Sequence, residues 1–265
     1  MFRSLSCRLL ALAALFALPA AHPDMARAQE EEREEKALAE EILGLDAMFP
    51  AMAAFPWTEK DKTMQGILYG DTKGIVHFYV FDTGRLREKW RSFPLDGVVK
   101  DVYAQDLNRD GSPEIIAYSS KARIYVWDTK TFRVLWESVQ ENFKSIQAMT
   151  IADVDRDAQL ELVVCADNRL VYIDGVEFFR EKEGRDPLDP SVLLVADVDG
   201  DLTNEIVSND GYVFDSTTLN IEWATETFGY PMTLFDIDND GVFELIGETL
   251  GSIVIWDIQD RRQIW

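Results

Sequence analysis

Four stretches of this sequence place an oxygen-bearing side chain at the first, third, fifth and ninth positions of a nine-residue segment. They are Asp106, Asn108, Asp110 and Glu114; Asp153, Asp155, Asp157 and Glu161; Asp197, Asp199, Asp201 and Glu205; and Asp236, Asp238, Asp240 and Glu244. Alternate residues of a tight loop can turn their side chains toward one point. Carboxylates gathered there repel one another and lose solvation, so such a loop is built around a cation. A hard cation such as Ca2+ takes roughly six to eight oxygen ligands at about 2.3–2.6 Å. Positions 1, 3 and 5 supply some of these, and a backbone carbonyl near position 7 can add another. Gly111 and Gly241 occupy position 6, where a sharp turn can require positive φ, whereas Ala158 and Leu202 stand there in the second and third copies. The closing acid at position 9 separates the pattern from an EF-hand, which closes at position 12. A second reading stays open from the residues alone. Asp and Asn also fold loops by bonding their own backbone, and a position-9 Glu can bond loop N–H groups without touching metal.

The elements that must position these loops are strands. Successive copies begin 47, 44 and 39 residues apart, in alternation with a second pattern, Asp followed eight residues later by Trp. The pairs are Asp82 with Trp90, Asp128 with Trp136, Asp215 with Trp223 and Asp257 with Trp265. β-Branched and aromatic residues precede each of these Asp residues. The third unit keeps Tyr172-Ile173-Asp174 but has a shortened return through Glu177-Phe178-Phe179 with no Trp. Each unit therefore reads as four short strands. In the second unit they are residues 98–104, 114–118, 122–127 and 132–137. A recurrence of this length with four strands per unit predicts propeller blades. Slid upstream, the same template places a degenerate first loop on Trp57, Glu59, Asp61 and Gln65. The expected fold is thus an all-β propeller of five four-stranded blades over residues 50–265. The first blade lacks a competent loop and is expected to pack on the fifth, because unpaired strand edges invite aggregation. The repeated Trp residues fit packing between neighbouring blades, with stacking on sugar rings as the alternative.

These loops, together with the strand–Asp–Trp pattern, resemble the FG-GAP or VCBS-type repeats of bacterial exported proteins and of integrin α-chain propellers. The second pattern is also similar to quinoprotein-like propeller repeats. The resemblance covers about residues 50–265. It implies that each loop joins the first two strands of a blade and holds Ca2+. It also implies that the ligands are the sixteen residues named above, at positions 1, 3, 5 and 9. Better-known members carry Asp at position 9, whereas all four copies here carry Glu.

The chain termini and composition bound the rest. Residues 1–28 read as a secretory signal peptide: Arg3 and Arg8 precede an apolar run too short to span a bilayer, and Ala26-Arg27-Ala28 offers a cleavage site. Residues 29–49 read as an acidic helical extension with one short helix. No later segment reaches transmembrane length, and a periplasmic or secreted location is expected. The formal charge of −22 argues against nucleic acid as a partner and for cations and basic surfaces. Cys165, in an apolar run, reads as a small buried hydrophobe. Of two histidines only His77 lies beyond the signal, on a strand, and no nucleophile, zinc or phosphate motif accompanies it. The expected function is a calcium-stabilised scaffold that binds a protein or a glycan. The alternative is a propeller enzyme, a polysaccharide lyase or hydrolase, with the segment 180–190 as its one candidate outgrowth.

Overall fold

Alternation of apolar residues along each unit produces a meander of four antiparallel strands. The computed structural model describes residues 51–265, so the signal peptide expected over 1–28 and the helix expected within 29–49 lie outside the described residues. Blade 1 contains β1 (Ala51–Glu59), β2 (Lys62–Gly70), β3 (Val76–Asp82) and β4 (Arg85–Arg91). Blade 2 contains β5 (Val99–Gln105), β6 (Glu114–Ser119), β7 (Ile124–Trp127) and β8 (Val134–Glu137). Blade 3 contains β9 (Ile146–Ala152), β10 (Glu161–Ala166), β11 (Arg169–Asp174) and β12 (Arg180–Glu183). Blade 4 contains β13 (Leu193–Ala196), β14 (Glu205–Ser208), β15 (Tyr212–Asp215) and β16 (Ile221–Ala224). Blade 5 contains β17 (Met232–Phe235), β18 (Glu244–Thr249), β19 (Ser252–Asp257) and β20 (Arg262–Gln263). Each blade is one sheet with its strands in sequence order, the five-bladed all-β architecture expected of the repeat.

A blade inside the array is covered on both faces, so its middle strands read as nearly continuous apolar runs. The strands β6 and β10 are buried at every position, and Cys165 is among those residues. Parity then sorts side chains to one neighbour or the other. In blade 4, Leu193, Ile206 and Phe214 face blade 3, while Leu194, Val207 and Val213 face blade 5. Four apolar clusters result, one at each seam between consecutive blades.

The seams explain the repeated Trp residues. Trp90 of blade 1 stacks on Phe132 of blade 2 at 5.5 Å, and Trp136 of blade 2 stacks on Phe178 of blade 3 at 5.3 Å. Phe132 and Phe178 both hold positive φ in the turn before the last strand of their blades. Contact with the preceding blade opposes the strain of that conformation. Trp223 packs on Phe228 and Trp256. Blade 3 has Lys182 where the others have Trp; its ammonium donates to the Thr217 carbonyl of blade 4 and lies over the Tyr172 ring.

Three expectations are corrected. Trp57, Glu59, Asp61 and Gln65 form no loop. The strands β1 and β2 pair without interruption up to Glu59 and Lys62, closed by a two-residue turn in which Lys60 and Asp61 both have positive φ. The start of the segment 180–190 is not an outgrowth, because Arg180–Glu183 pairs with β11 as the fourth strand of its blade. Blade 1 does not pack on blade 5: among the described residues no buried cluster joins them, and each presents exposed apolar side chains on its free face. Each blade supplies its own four strands, so nothing in the hydrogen bonding demands closure. His77 is largely buried, its Nε2 3.2 Å from Asp71 Oδ2 and its ring stacked on Tyr69.

Candidate metal centre

The four acidic loops connect the first and second strands of blades 2 to 5, and their closing Glu opens the second strand each time. Their backbones follow one path. Positions 4 and 6 are left-handed in every copy: Arg109 and Gly111, Arg156 and Ala158, Gly200 and Leu202, Asn239 and Gly241. The turn geometry is therefore kept even where glycine is absent from position 6. At Gly111 and Gly241 an added Cβ would meet nothing within 4 Å, so only backbone strain selects glycine there.

Side chains organise the loop from within. The position-1 Asp accepts the N–H groups of positions 4, 5 or 6, as Asp236 does from Asp240 and Gly241 at 3.1 Å each. The position-3 residue accepts the N–H of position 5, and the position-5 Asp accepts that of position 7. The closing Glu is buried in all four loops, and its Oε2 accepts the N–H of position 2. Those bonds run from Leu107 to Glu114, Val154 to Glu161, Val198 to Glu205 and Ile237 to Glu244, at 2.7–2.9 Å.

Three of the loops gather carboxylates at one point. Asp153, Asp155 and Glu161 offer oxygens within 4.8 Å of one another, as do Asp197, Asp199 and Glu205, and Asp236, Asp238 and Glu244. These three groups could hold a metal ion. Positions 1, 3 and 9 therefore converge, whereas Asp157, Asp201 and Asp240 at position 5 stand outside the groups and cap the following turn. The position-9 Glu, the departure from better-known repeats, sits inside the group.

The first loop is different, although its Gly111 made it one of the two best matches in sequence. Asn108 replaces one carboxylate and donates its amide to Glu114 Oε1 at 3.0 Å, while Lys130 pairs with Asp110 at 2.7 Å. That lysine holds the Asp110 carboxyl below its usual range. Asp106, Asn108, Asp110 and Glu114 thus find their partners within the protein.

Electrostatics agree with the geometry. Burial pushes the Glu161 and Glu205 carboxyls up to about 8, with the neighbouring loop aspartates adding to the rise. Burial also raises Asp199 and Glu114. Two further acids lie outside the loop pattern. Glu181 and Glu222, on the fourth strands of blades 3 and 4, are raised first by burial and then by Asp174 and Asp155 for Glu181 and by Asp199 and Asp215 for Glu222. They stand seven residues after Asp174 and Asp215, where blades 2 and 5 have Leu135 and Ile264, so no repeat marks them.

The loops also touch the next blade. Asn204 donates to the Asp153 carbonyl, Ser216 to the Val154 carbonyl, and Arg156 to Thr203. Fixing loop 2 therefore fixes the seam between blades 3 and 4. A cheap test of the backbone argument is Leu202→Gly. Leu202 has φ of 71° and is 81% exposed, so its side chain contributes little packing. The exchange is expected to raise stability by about 1 kcal/mol, from relief of left-handed strain less the entropy of a glycine. Denaturant unfolding measures it, and an unchanged or lower midpoint would contradict the strain argument.

No family model matches the sequence, and no curated protein matches it. Solved structures do match in fold. The V. cholerae biofilm matrix protein Bap1 superposes with a TM-score of 0.59 at 16% identity, over 82% of this chain and 39% of that one. BBS1N, solved in complex with ARL6DN, gives 0.58 at 11% identity over 82% and 67%. The computationally designed protein Ika8 gives 0.53 at 16% identity over 82% and 60%. The chain therefore spans well under half of Bap1, and at these identities the likeness is one of propeller-like fold.

Proposed function

We propose that this chain is an exported calcium-binding propeller of the FG-GAP or VCBS type that serves as a scaffold for a protein or glycan partner and not as a catalyst. The observation that carries the reading is the threefold recurrence of one oxygen group, formed by positions 1, 3 and 9 of loops 2, 3 and 4. An all-oxygen group with buried carboxylates suits a hard, flexible cation such as Ca2+, whereas thiolate or imidazole sites select softer metals. Because the loops bond across the seams, the ion braces one blade against the next and its role is structural. The signal peptide read from residues 1–28 would deliver the chain to compartments where calcium is plentiful. Extracellular modules bind it with Kd of about 10⁻⁴–10⁻³ M. A biofilm matrix protein among the fold neighbours accords with that placement.

Equilibrium dialysis with calcium tests the reading directly. Three ions per chain are expected, one for each gathered group, and two for the Asp197→Ala plus Asp199→Ala variant. No bound calcium at millimolar concentration would overturn it.

A further inference from the structure

Every blade in this array has two kinds of face. One receives the preceding blade and the other is offered to the following blade, and four seams repeat that pairing. Among the described residues two faces are left over. Blade 5 offers a face of the kind that blade 4 fills with Leu194, Val207 and Val213. At the matching positions of blade 5 stand Thr233, Ile246 and Ile255, which pair with one another across the sheet, and beside them lies Ile253, 62% exposed. A groove of about 360 Å³ runs over Met232, Thr233, Ile246 and Ile253. Blade 1 leaves free the kind of face that blades 2 to 5 use to receive a predecessor. It carries Met52, 61% exposed, with Ile67, Tyr79 and Phe81, the last 47% exposed.

The stacking at the seams continues the match. At the first two seams a Trp eight residues after the blade's Asp stacks on a Phe four residues after the next blade's Asp. Trp265, eight after Asp257, is 75% exposed, with no such Phe against it among the described residues. On blade 1 the residue four after Asp82 is Leu86, also exposed and paired with Phe81 on the free face.

Charge points the same way. Blade 1 carries Lys60, Lys62, Arg85 and Arg87 at the turns of its loop end against Glu59, Asp61 and Asp82, with Lys62 paired to Asp82 and Arg87 to Glu59, which leaves that end slightly positive in a chain whose net charge is −22. Blade 5 carries Asp236, Asp238, Asp240 and Glu244 at the same end, and this loop stays negative even around a divalent ion. The internal seams show how the two would meet. Val242 and Gln259 of blade 5 lie against Gly200 in the acidic loop of blade 4, and Arg261 sets its charge against Asp199.

We infer that the free face of blade 5 in one copy receives the free face of blade 1 in a second copy, so that chains associate head to tail through a fifth seam of the internal kind. Such an interface is heterologous, built from two different surfaces, and it extends or closes into a ring according to the rotation per copy.

The test is light scattering on the purified protein over a range of concentrations. The mass is expected to rise with concentration to multiples of the chain. Ile253→Asp plus Trp265→Asp disables one face, and Met52→Asp plus Phe81→Asp disables the other. Each pair changes only exposed side chains, so circular dichroism and melting should match the parent. Each variant alone is expected to be monomeric. An equimolar mixture is expected to give dimers and nothing larger, because each variant keeps one intact face. A parent that stays monomeric at its highest attainable concentration would overturn the inference, because a cis contact, from the ring closing or from residues 1–50, would then cover the faces. A mixture that stays monomeric would overturn it too, since it would point to a symmetric contact.

Discussion

Chelation of calcium is expected to lower the melting temperature of this protein by roughly 15–30 °C. A ligand at 100 times its Kd stabilises the folded state by about 2.7 kcal/mol per site. Three gathered groups therefore contribute about 8 kcal/mol. For a domain of this size, each kcal/mol moves the midpoint by about 2–4 °C. The effect should divide by site. Asp197→Ala plus Asp199→Ala removes two of the three oxygens of loop 3, and about a third of the calcium-dependent shift should go with it. Asp106→Ala should leave that shift intact, because in loop 1 Asn108 stands in place of a carboxylate and bonds Glu114, while Asp110 is paired with Lys130. Scanning calorimetry with calcium and with chelator reads all three proteins. A shift that survives in the Asp197 and Asp199 variant at full size would remove loop 3 from the site list.

The same experiment has a pH dependence whose sign is fixed by Glu161 and Glu205. Without a cation, burial holds both carboxyls near 8, above their ordinary value of 4.5. The folded chain then keeps protons that the unfolded chain gives up. A raised pKa contributes stability that is complete below the unfolded value and is lost as pH rises through the folded one. The chelated protein should therefore melt at progressively lower temperature from about pH 5 to pH 8. With calcium bound, the ion takes the place of the protons, and the curve should be flat over that window. A flat curve in chelator would mean that these carboxyls are not held protonated in the fold.

The loops and the blade count were legible because both are carried by residues that recur. Asp at positions 1 and 5 and Glu at position 9 appear in register, and strands of period two lie between them. What the sequence hid is what a single repeat unit does not encode. Arg109 and Arg156 adopt the same left-handed conformation as Gly200 and Asn239, and only the last two advertise it. The Lys130 pairing with Asp110 depends on a turn that comes back beside the loop from two strands away. It lies beside a loop that Gly111 had placed, together with loop 4, as one of the two best matches. Blade 1 was misaligned at its loop because Lys60-Asp61 makes a tight hairpin turn, and the strands run straight through the positions assigned to ligands. Seam contacts were visible only as Trp spacing. Their partners, Phe132 and Phe178, sit in turns where a bulky residue with positive φ runs against local preference.

Phe228→Ala is the substitution expected to do most damage away from the loops, at about 3–5 kcal/mol. Phe228 is fully buried in the connection between blades 4 and 5, with its ring 5.2 Å from that of Trp223 and 5.6 Å from that of Trp256. Its backbone is as constrained as its ring. The N–H donates to the Asn209 carbonyl of blade 4, and a Cβ on Gly247 of β18 would come within 1.9 Å of the Phe228 carbonyl oxygen. Glycine at 247 is what allows blade 5 to close on this segment, so Gly247→Ala should be similarly harmful from the other side of the contact. The consequence should be local. Blade 5 is held by one seam, whereas blades 2, 3 and 4 are held by two. In an array stabilised by nearest-neighbour contacts, the loss falls first on the unit with a single neighbour. Hydrogen exchange on Phe228→Ala should therefore show amides of β17 to β19 opening well before those of β6 and β10. Equal loss of protection in all five blades would mean that the propeller unfolds as one cooperative unit. The free face of blade 5 would then be no more labile than the seams inside.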